Sequence, residues 1–128
     1  MNTTFIRTAA ILGALAVVLG AFGAHSLEKV LEPKSLQAFE TGVRYQFYHA
    51  LALLAAGMLA ERYRTLWAGR LFIAGIIAFS GSLYLLTTRS VTGIESLVWL
   101  GPVTPLGGLC FIAGWISLAW SVSSSKSH

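Results

Sequence analysis

The sequence predicts an all-α polytopic membrane protein: four transmembrane helices in a compact bundle, with a short interfacial helix after the first span. Three observations carry this. Apolar residues make up 55% of the 128-residue chain and charged residues 11%, at a mean hydropathy of +0.71. A soluble chain this short needs far more polar surface. The apolar residues fall into four stretches, each near the ~20 residues that cross the hydrocarbon. The nine Lys and Arg are scattered at the ends of those stretches, without a basic stripe. The net charge of +4 therefore reads as topology signal and lipid-headgroup contact rather than nucleic-acid binding. One integral membrane domain, residues 1–128, is expected.

Span one is about residues 5–24. Arg7 can snorkel at its start. Ala9 and Gly13, then Ala16, Gly20 and Ala24, recur at four-residue spacing and form small faces for close helix approach. A signal peptide with a cleavage site near Ala24 is the competing reading. The apolar run is long for that, and equally apolar segments follow, so the stretch is expected to stay as a span. Gly23 is positioned to help end the helix.

Residues 26–40 are the only long polar stretch. Leu27, Val30 and Leu31 share a helical face, Pro33 breaks it, and Ser35 stands as N-cap of the next helix, with Leu36 and Phe39 on one side. Glu40 and Arg44 are spaced for an i, i+4 ion pair. Span two is about residues 43–60. At about 100° per residue, Gly42, Tyr45, Gln46, His49, Leu53, Ala56 and Ala60 share one face, which turns inward because polar groups in a membrane face protein or water. Arg44 and Tyr48 point elsewhere and suit the headgroup level.

Arg62 and Arg64 lie in a tight connection, with Tyr63 and Trp67 as interfacial aromatics. Span three, about residues 68–88, repeats Ala74, Ala78 and Ser82 at four and adds Ser80, Gly81 and Tyr84. Residues 89–96 form a short loop. Span four is about residues 97–120, interrupted by Gly101-Pro-Val-Thr-Pro-Leu-Gly-Gly108, with regular helix from about Pro105. Residues 121–128 are a polar tail. Four spans put both termini on one side. That side carries five Lys/Arg (Arg7, Arg62, Arg64, Arg70, Lys126) against four (Lys29, Lys34, Arg44, Arg89), which favours cytoplasmic termini. The same order gathers His25, the 41–49 stretch, Tyr84 and the Pro102–Pro105 turn in one half of the bundle.

Four blocks resemble one family. They are Gly-Ala-Phe-Gly-Ala-His ending at His25, Phe-Glu-Thr-Gly-Val-Arg-Tyr-Gln-Phe-Tyr-His-Ala-Leu-Ala-Leu-Leu from Phe39, Phe-Ser-Gly-Ser-Leu-Tyr ending at Tyr84, and the Gly101 to Gly108 stretch. Their content and order are similar to the YgdD/YwdK-like family of small multi-span inner-membrane proteins, which includes human transmembrane protein two-five-six. Ser26 departs from the glycine frequent there. The resemblance implies an inner-membrane protein and a domain of unknown function, so it transfers no catalytic residue.

The candidate polar cluster is His25, Arg44, Tyr45, Gln46, His49 and Tyr84. Two histidines make an incomplete zinc or haem site, so no metal and no cofactor are expected. The plainer role for each is a hydrogen bond across helices, His49 to Tyr45, Tyr84 or a loop carbonyl. Arg44 suits an anionic headgroup or snorkelling. Ser80 and Ser82 lack a nearby base, so no catalytic residue is assigned. Proton-coupled drug export needs a carboxylate in the first span, and there is none. Single Cys110 fits packing. The sequence therefore points to a non-enzymatic structural or accessory membrane subunit with lipids, a second copy or a larger membrane protein as partners and no nucleic acid. The alternative is a small transporter or lipid or small-ligand binder in a half-cavity around His25 and His49. A membrane enzyme or redox carrier comes third.

Overall fold

The structure, a computed structural model, describes residues 1–125. The regular elements of these residues are all helical. Helix α1 (Thr3–His25) is capped by Asn2, whose side chain accepts from the Phe5 amide at 3.1 Å. It runs through Gly23 instead of ending there. Gly23 is buried under Phe39, whose ring lies 3.1 Å from where a Cβ would stand, so the glycine serves close approach. A single 3-10 turn, Leu27–Lys29, follows. Leu27 and Leu31 are buried with Phe39 while Val30 is exposed, so the expected interfacial helix reduces to one turn with two anchoring leucines.

Helix α2 (Pro33–Leu59) is unbroken. Pro33 takes the first helical position, where its missing N–H costs nothing. Ser35 therefore lies inside the first turn and Glu32, not Ser35, is the cap residue. The expected Glu40–Arg44 pair does not form: Arg44 donates instead to Thr41 Oγ1 at 3.3 Å. Among the described residues, three helical stretches are long and apolar enough to cross a membrane: Thr3–Lys29, Leu66–Thr87 and Glu95–Ser124. α2 has the length, but Lys34, Glu40, Arg44 and Gln46 make its first half too polar to join that set.

The α2–α3 connection is closed by buried Thr65, whose Oγ1 donates to the Ala56 carbonyl at 2.6 Å. The N-terminal ammonium pairs with Glu61 at 2.8 Å and holds that carboxyl below its ordinary range. Helix α3 (Leu66–Gly75), a π-helical segment (Ile76–Gly81) and α4 (Ser82–Thr87) form one rod. The Ala74, Ala78, Ser82 repeat does not stay on one packed face. Ala74 is exposed, and Gly75, Ile76, Ser80 and Ser82 are buried. The i→i+5 bonding of the π segment turns these residues away from α-helical spacing.

Helix α5 (Arg89–Thr92) ends at Gly93 with φ +76°, a left-handed position. A 3-10 stretch, Glu95–Leu100, leads to a break, and α6 (Val103–Ser125) begins two residues before Pro105. Pro105 sits in the first turn, where its missing donor is tolerated. Residues 121–125 of the polar tail are helical and continue α6, and Ser121 is buried. The tail's residues 126–128 lie outside the described residues.

α2 and the third rod form the middle of the bundle; α1 packs on α2, antiparallel, and α6 packs on the rod. Phe5, Ala9, Ala52, Leu53, Ala68 and Phe72 make the core. Phenylalanines seat on glycines across the helices. A Cβ on Gly69 would stand 2.1 Å from the Phe5 ring, on Gly75 2.3 Å from Phe111, on Gly114 2.7 Å from Phe72, and on Gly107 2.3 Å from the Phe79 backbone nitrogen. Met1 beside Glu61, and Ser121 and Ser124 beside residues 60–64, put both described ends of the chain at one end of the bundle.

Candidate functional site

The inward face of α2 carries the polar cluster. Gln46 is 3% exposed. Its Nε2 donates to the Leu12 carbonyl of α1 at 2.7 Å, and its Oε1 accepts from the Tyr84 hydroxyl at 2.6 Å. One amide therefore ties α1, α2 and α4 together. A turn earlier, Ser80 Oγ donates to the Gly42 carbonyl at 2.7 Å, and Ser82 shares a hydrogen bond with Thr104 of α6 at 2.5 Å. Gly42 is what lets Tyr84 in: a Cβ there would lie 3.0 Å from its ring.

His49 lies about one turn beyond Gln46 and is also buried. Its Nδ1 is 2.7 Å from the Tyr45 carbonyl, so Nδ1 carries the proton and donates. Nε2 is then a bare lone pair, and it accepts from the Trp115 indole N–H at 3.1 Å. The ring stacks on Phe111, centroids 3.6 Å apart and 8° from parallel. Phe72 and Trp115 meet it at 5.8 and 5.9 Å. Both nitrogens are used within the chain, in the arrangement of a neutral imidazole. A second ring proton would set two N–H groups against each other.

Of the six candidates, the structure brings Gln46, His49, Tyr45 and Tyr84 to one region. Tyr45 is 39% exposed and stands at the edge, packing on Phe79 at 4.9 Å rather than turning fully inward. Tyr84 packs on Phe39 at 5.1 Å. His25 is exposed at the end of α1 and is not part of the cluster. Gln46 reaches Leu12 and Phe39 meets Gly23, so His25 is level with the first turn of α2. That is about 20 Å along the bundle from His49 at 1.5 Å per residue. Arg44 is exposed too, beside Ala16, Val17, Gly20 and Ala21 of α1, with its guanidinium turned back to Thr41, one turn nearer the His25 end.

Trp115, Phe111, Phe72 and Thr104 do not stand out in the sequence. A tryptophan deep in a span calls for a partner for its N–H. Ending span four at residue 120 places Trp115 near the interface, whereas α6 continues to Ser125 and makes it central. Beside His49 an open groove of about 460 Å³ is lined by Tyr45, Pro105, Gly108, Leu109, Phe111, Ile112 and Trp115. Its walls are nearly all apolar. No three His, Cys, Asp or Glu side chains come together among the described residues. The hydroxyls of Ser80 and Ser82 are committed to helix-to-helix bonds, with no imidazole or carboxylate on them.

Residues 19–108 match the family described as "Protein of unknown function (DUF423)". The chain belongs to this family. The match starts one residue before the Gly20 block and ends on Gly108, so the four sequence blocks fall inside it. The DUF423 chain is similar to the UPF0382 membrane protein YwdK of Bacillus subtilis (strain 168), 49% identical over 118 residues, covering 89% of this chain and 91% of the relative. It is 40% identical over 131 residues to a UPF0382 membrane protein of Haemophilus influenzae, covering 99% of each. A UPF0382 membrane protein of Schizosaccharomyces pombe, C1782.12c, is 37% identical over 116 residues, 90% of this chain and 98% of the relative. No solved structure matches. With relatives so named and three helices fit to cross a bilayer, this DUF423 protein is a membrane protein.

Proposed function

We propose that the protein is a four-span inner-membrane subunit with a structural or accessory role, both termini cytoplasmic, and no chemistry of its own. The carrying observation is that both nitrogens of His49 and both ends of the Gln46 amide are taken by groups of the same chain. A site for substrate or proton transfer keeps such groups open to a ligand or to water. Here three of the four join α2 to α1, α4 and α6, and His49 Nδ1 is held by the Tyr45 carbonyl of α2 itself.

The same bonding supports α2 as the fourth span. Its apolarity alone is too low for insertion, but its inward polar groups are satisfied by α1, α4 and α6, as the bilayer requires. The outward faces carry Ile11, Val17, Val18, Leu109, Ile116 and Trp120, which suit lipid or a partner subunit. Orientation rests on the arginine-bearing connection at the end that also holds both described chain ends.

The test compares thermal melting of wild type and His49→Phe in detergent, with and without divalent zinc, copper or haem. The substitution is expected to lower the melting point, and no addition should raise that of wild type. A metal- or haem-induced rise that His49→Phe abolishes overturns the structural reading. For orientation, a cysteine placed at Ser123 in a Cys110→Ala background should resist labelling from outside intact cells.

A further inference from the structure

We infer that the groove between α1 and α2 holds an anionic phospholipid, with its phosphate on Arg44 and an acyl chain against the small residues of α1. This goes beyond the structural role above and takes from it only that α2 crosses the bilayer.

Depth comes first. Val43 approaches the Cβ position of Gly20 to 3.4 Å, and Phe47 that of Gly13 to 3.9 Å. The Arg44 backbone lies between them, beside Ala16, Val17, Gly20 and Ala21. α1 runs Thr3–His25, so the Arg44 backbone is about 7 Å from its midpoint and about 10 Å short of His25, with the guanidinium about one turn closer to that end. The third rod agrees: Gly42 meets Ser80 and Tyr45 meets Phe79, only a few residues past the middle of Leu66–Thr87.

Partnership comes second. Arg44 is exposed, donates to Thr41 Oγ1, and has no carboxylate within ion-pair distance among the described residues. A lipid-facing guanidinium that reaches back to Thr41 snorkels toward headgroup level, where it still calls for an anion. A phosphodiester offers two oxygens to its planar donors.

Shape comes third. The groove beside Arg44 is about 460 Å³, floored by Ala16, Val17, Gly20 and Ala21 and flanked by Phe47. Apart from Arg44 it presents no charge. A free anion gains nothing from such walls, whereas an acyl chain fills them while its headgroup stays on the arginine.

The experiment exposes the full-length protein in non-ionic detergent to equal amounts of phosphatidylglycerol and phosphatidylcholine, and measures retained lipid by native mass spectrometry. Wild type should retain phosphatidylglycerol preferentially. Arg44→Gln should cut that preference roughly fivefold, the weight of one cationic contact. Arg44→Lys should keep most of it. Ala21→Trp, an exposed change that fills the groove, should expel lipid while leaving Arg44 in place. An Arg44→Gln preference equal to wild type overturns the inference. So does melting stabilised as much by inorganic phosphate as by phosphatidylglycerol. So does a wild-type dimer that Arg44→Gln splits with lipid retention unchanged, because a second copy then supplies the counter-charge.

Discussion

Replacing Gln46 with leucine removes two helix-to-helix hydrogen bonds at once and leaves the shape of the core close to intact. The two losses differ. The Leu12 carbonyl lies inside α1 and keeps its helical partner, so losing the 2.7 Å bond leaves no orphan. The Tyr84 hydroxyl loses its 2.6 Å acceptor and stays partly buried. Helix-to-helix side-chain bonds in bilayers average about 0.6 kcal/mol and reach about 1.7. Two of them place Gln46→Leu at about 1–3 kcal/mol of lost stability. Tyr84→Phe removes one bond and should cost about 0.6–1.7 kcal/mol. The double variant should then be little worse than Gln46→Leu, which gives a coupling of the size of the shared bond. Exposed Tyr48→Phe is the control, within about 0.5 kcal/mol of wild type. The assay is equilibrium unfolding in mixed micelles by titration with dodecyl sulfate, read by tryptophan fluorescence and helicity. Wild-type stability of Gln46→Leu, together with no coupling to Tyr84, would refute the claim that the polar cluster holds the bundle.

Trp115→Phe should cost about 0.5–1.5 kcal/mol through the lost donor to His49, and His49→Phe in that background should add less than it does alone. Gly107→Ala sets a Cβ against the Phe79 backbone, which cannot rotate aside; the unfolding midpoint should report about 1–3 kcal/mol of overpacking. Gly114→Ala meets the Phe72 ring at 2.7 Å, with the Leu71 Cβ at an easier 3.4 Å, so Phe72→Leu should restore part of its loss. Thr65→Val should lose about 1 kcal/mol, because the Ala56 carbonyl at the end of α2 gives up its 2.6 Å donor.

The helical class and the inward position of Gln46 and His49 were legible, because composition and a 100° repeat are local properties of the chain. Tyr84 as a neighbour was legible from chain order. Level along the bundle was not. Arg44 stands at the start of the predicted second span, and only the packing shows that it lies beside Ala16, Val17, Gly20 and Ala21 of α1. Trp115 was hidden for a related reason: serines at 121–125 look like a tail, though the helix continues through them. The π segment left no mark, and it redirected the Ala74, Ala78, Ser82 repeat. Pairing of His25 with His49 failed because sharing one half of a bundle leaves room for separation along its axis.

The phenylalanine–glycine contacts bear on how the protein can move. Between the third rod and α6 they are reciprocal: Phe72 seats on Gly114, Phe111 on Gly75, and Phe79 against Gly107. A slide of one helical turn, about 5.4 Å, would bring the Phe72 ring to Cys110 or Leu118, where no hollow exists. Small slides are blocked because each ring is already held by its glycine. The rod and α6 therefore travel as a single body. Rearrangement on the scale of a transport cycle would have to occur between that body and the α1–α2 pair, and there it would break the Gln46–Tyr84 and His49–Trp115 bonds together.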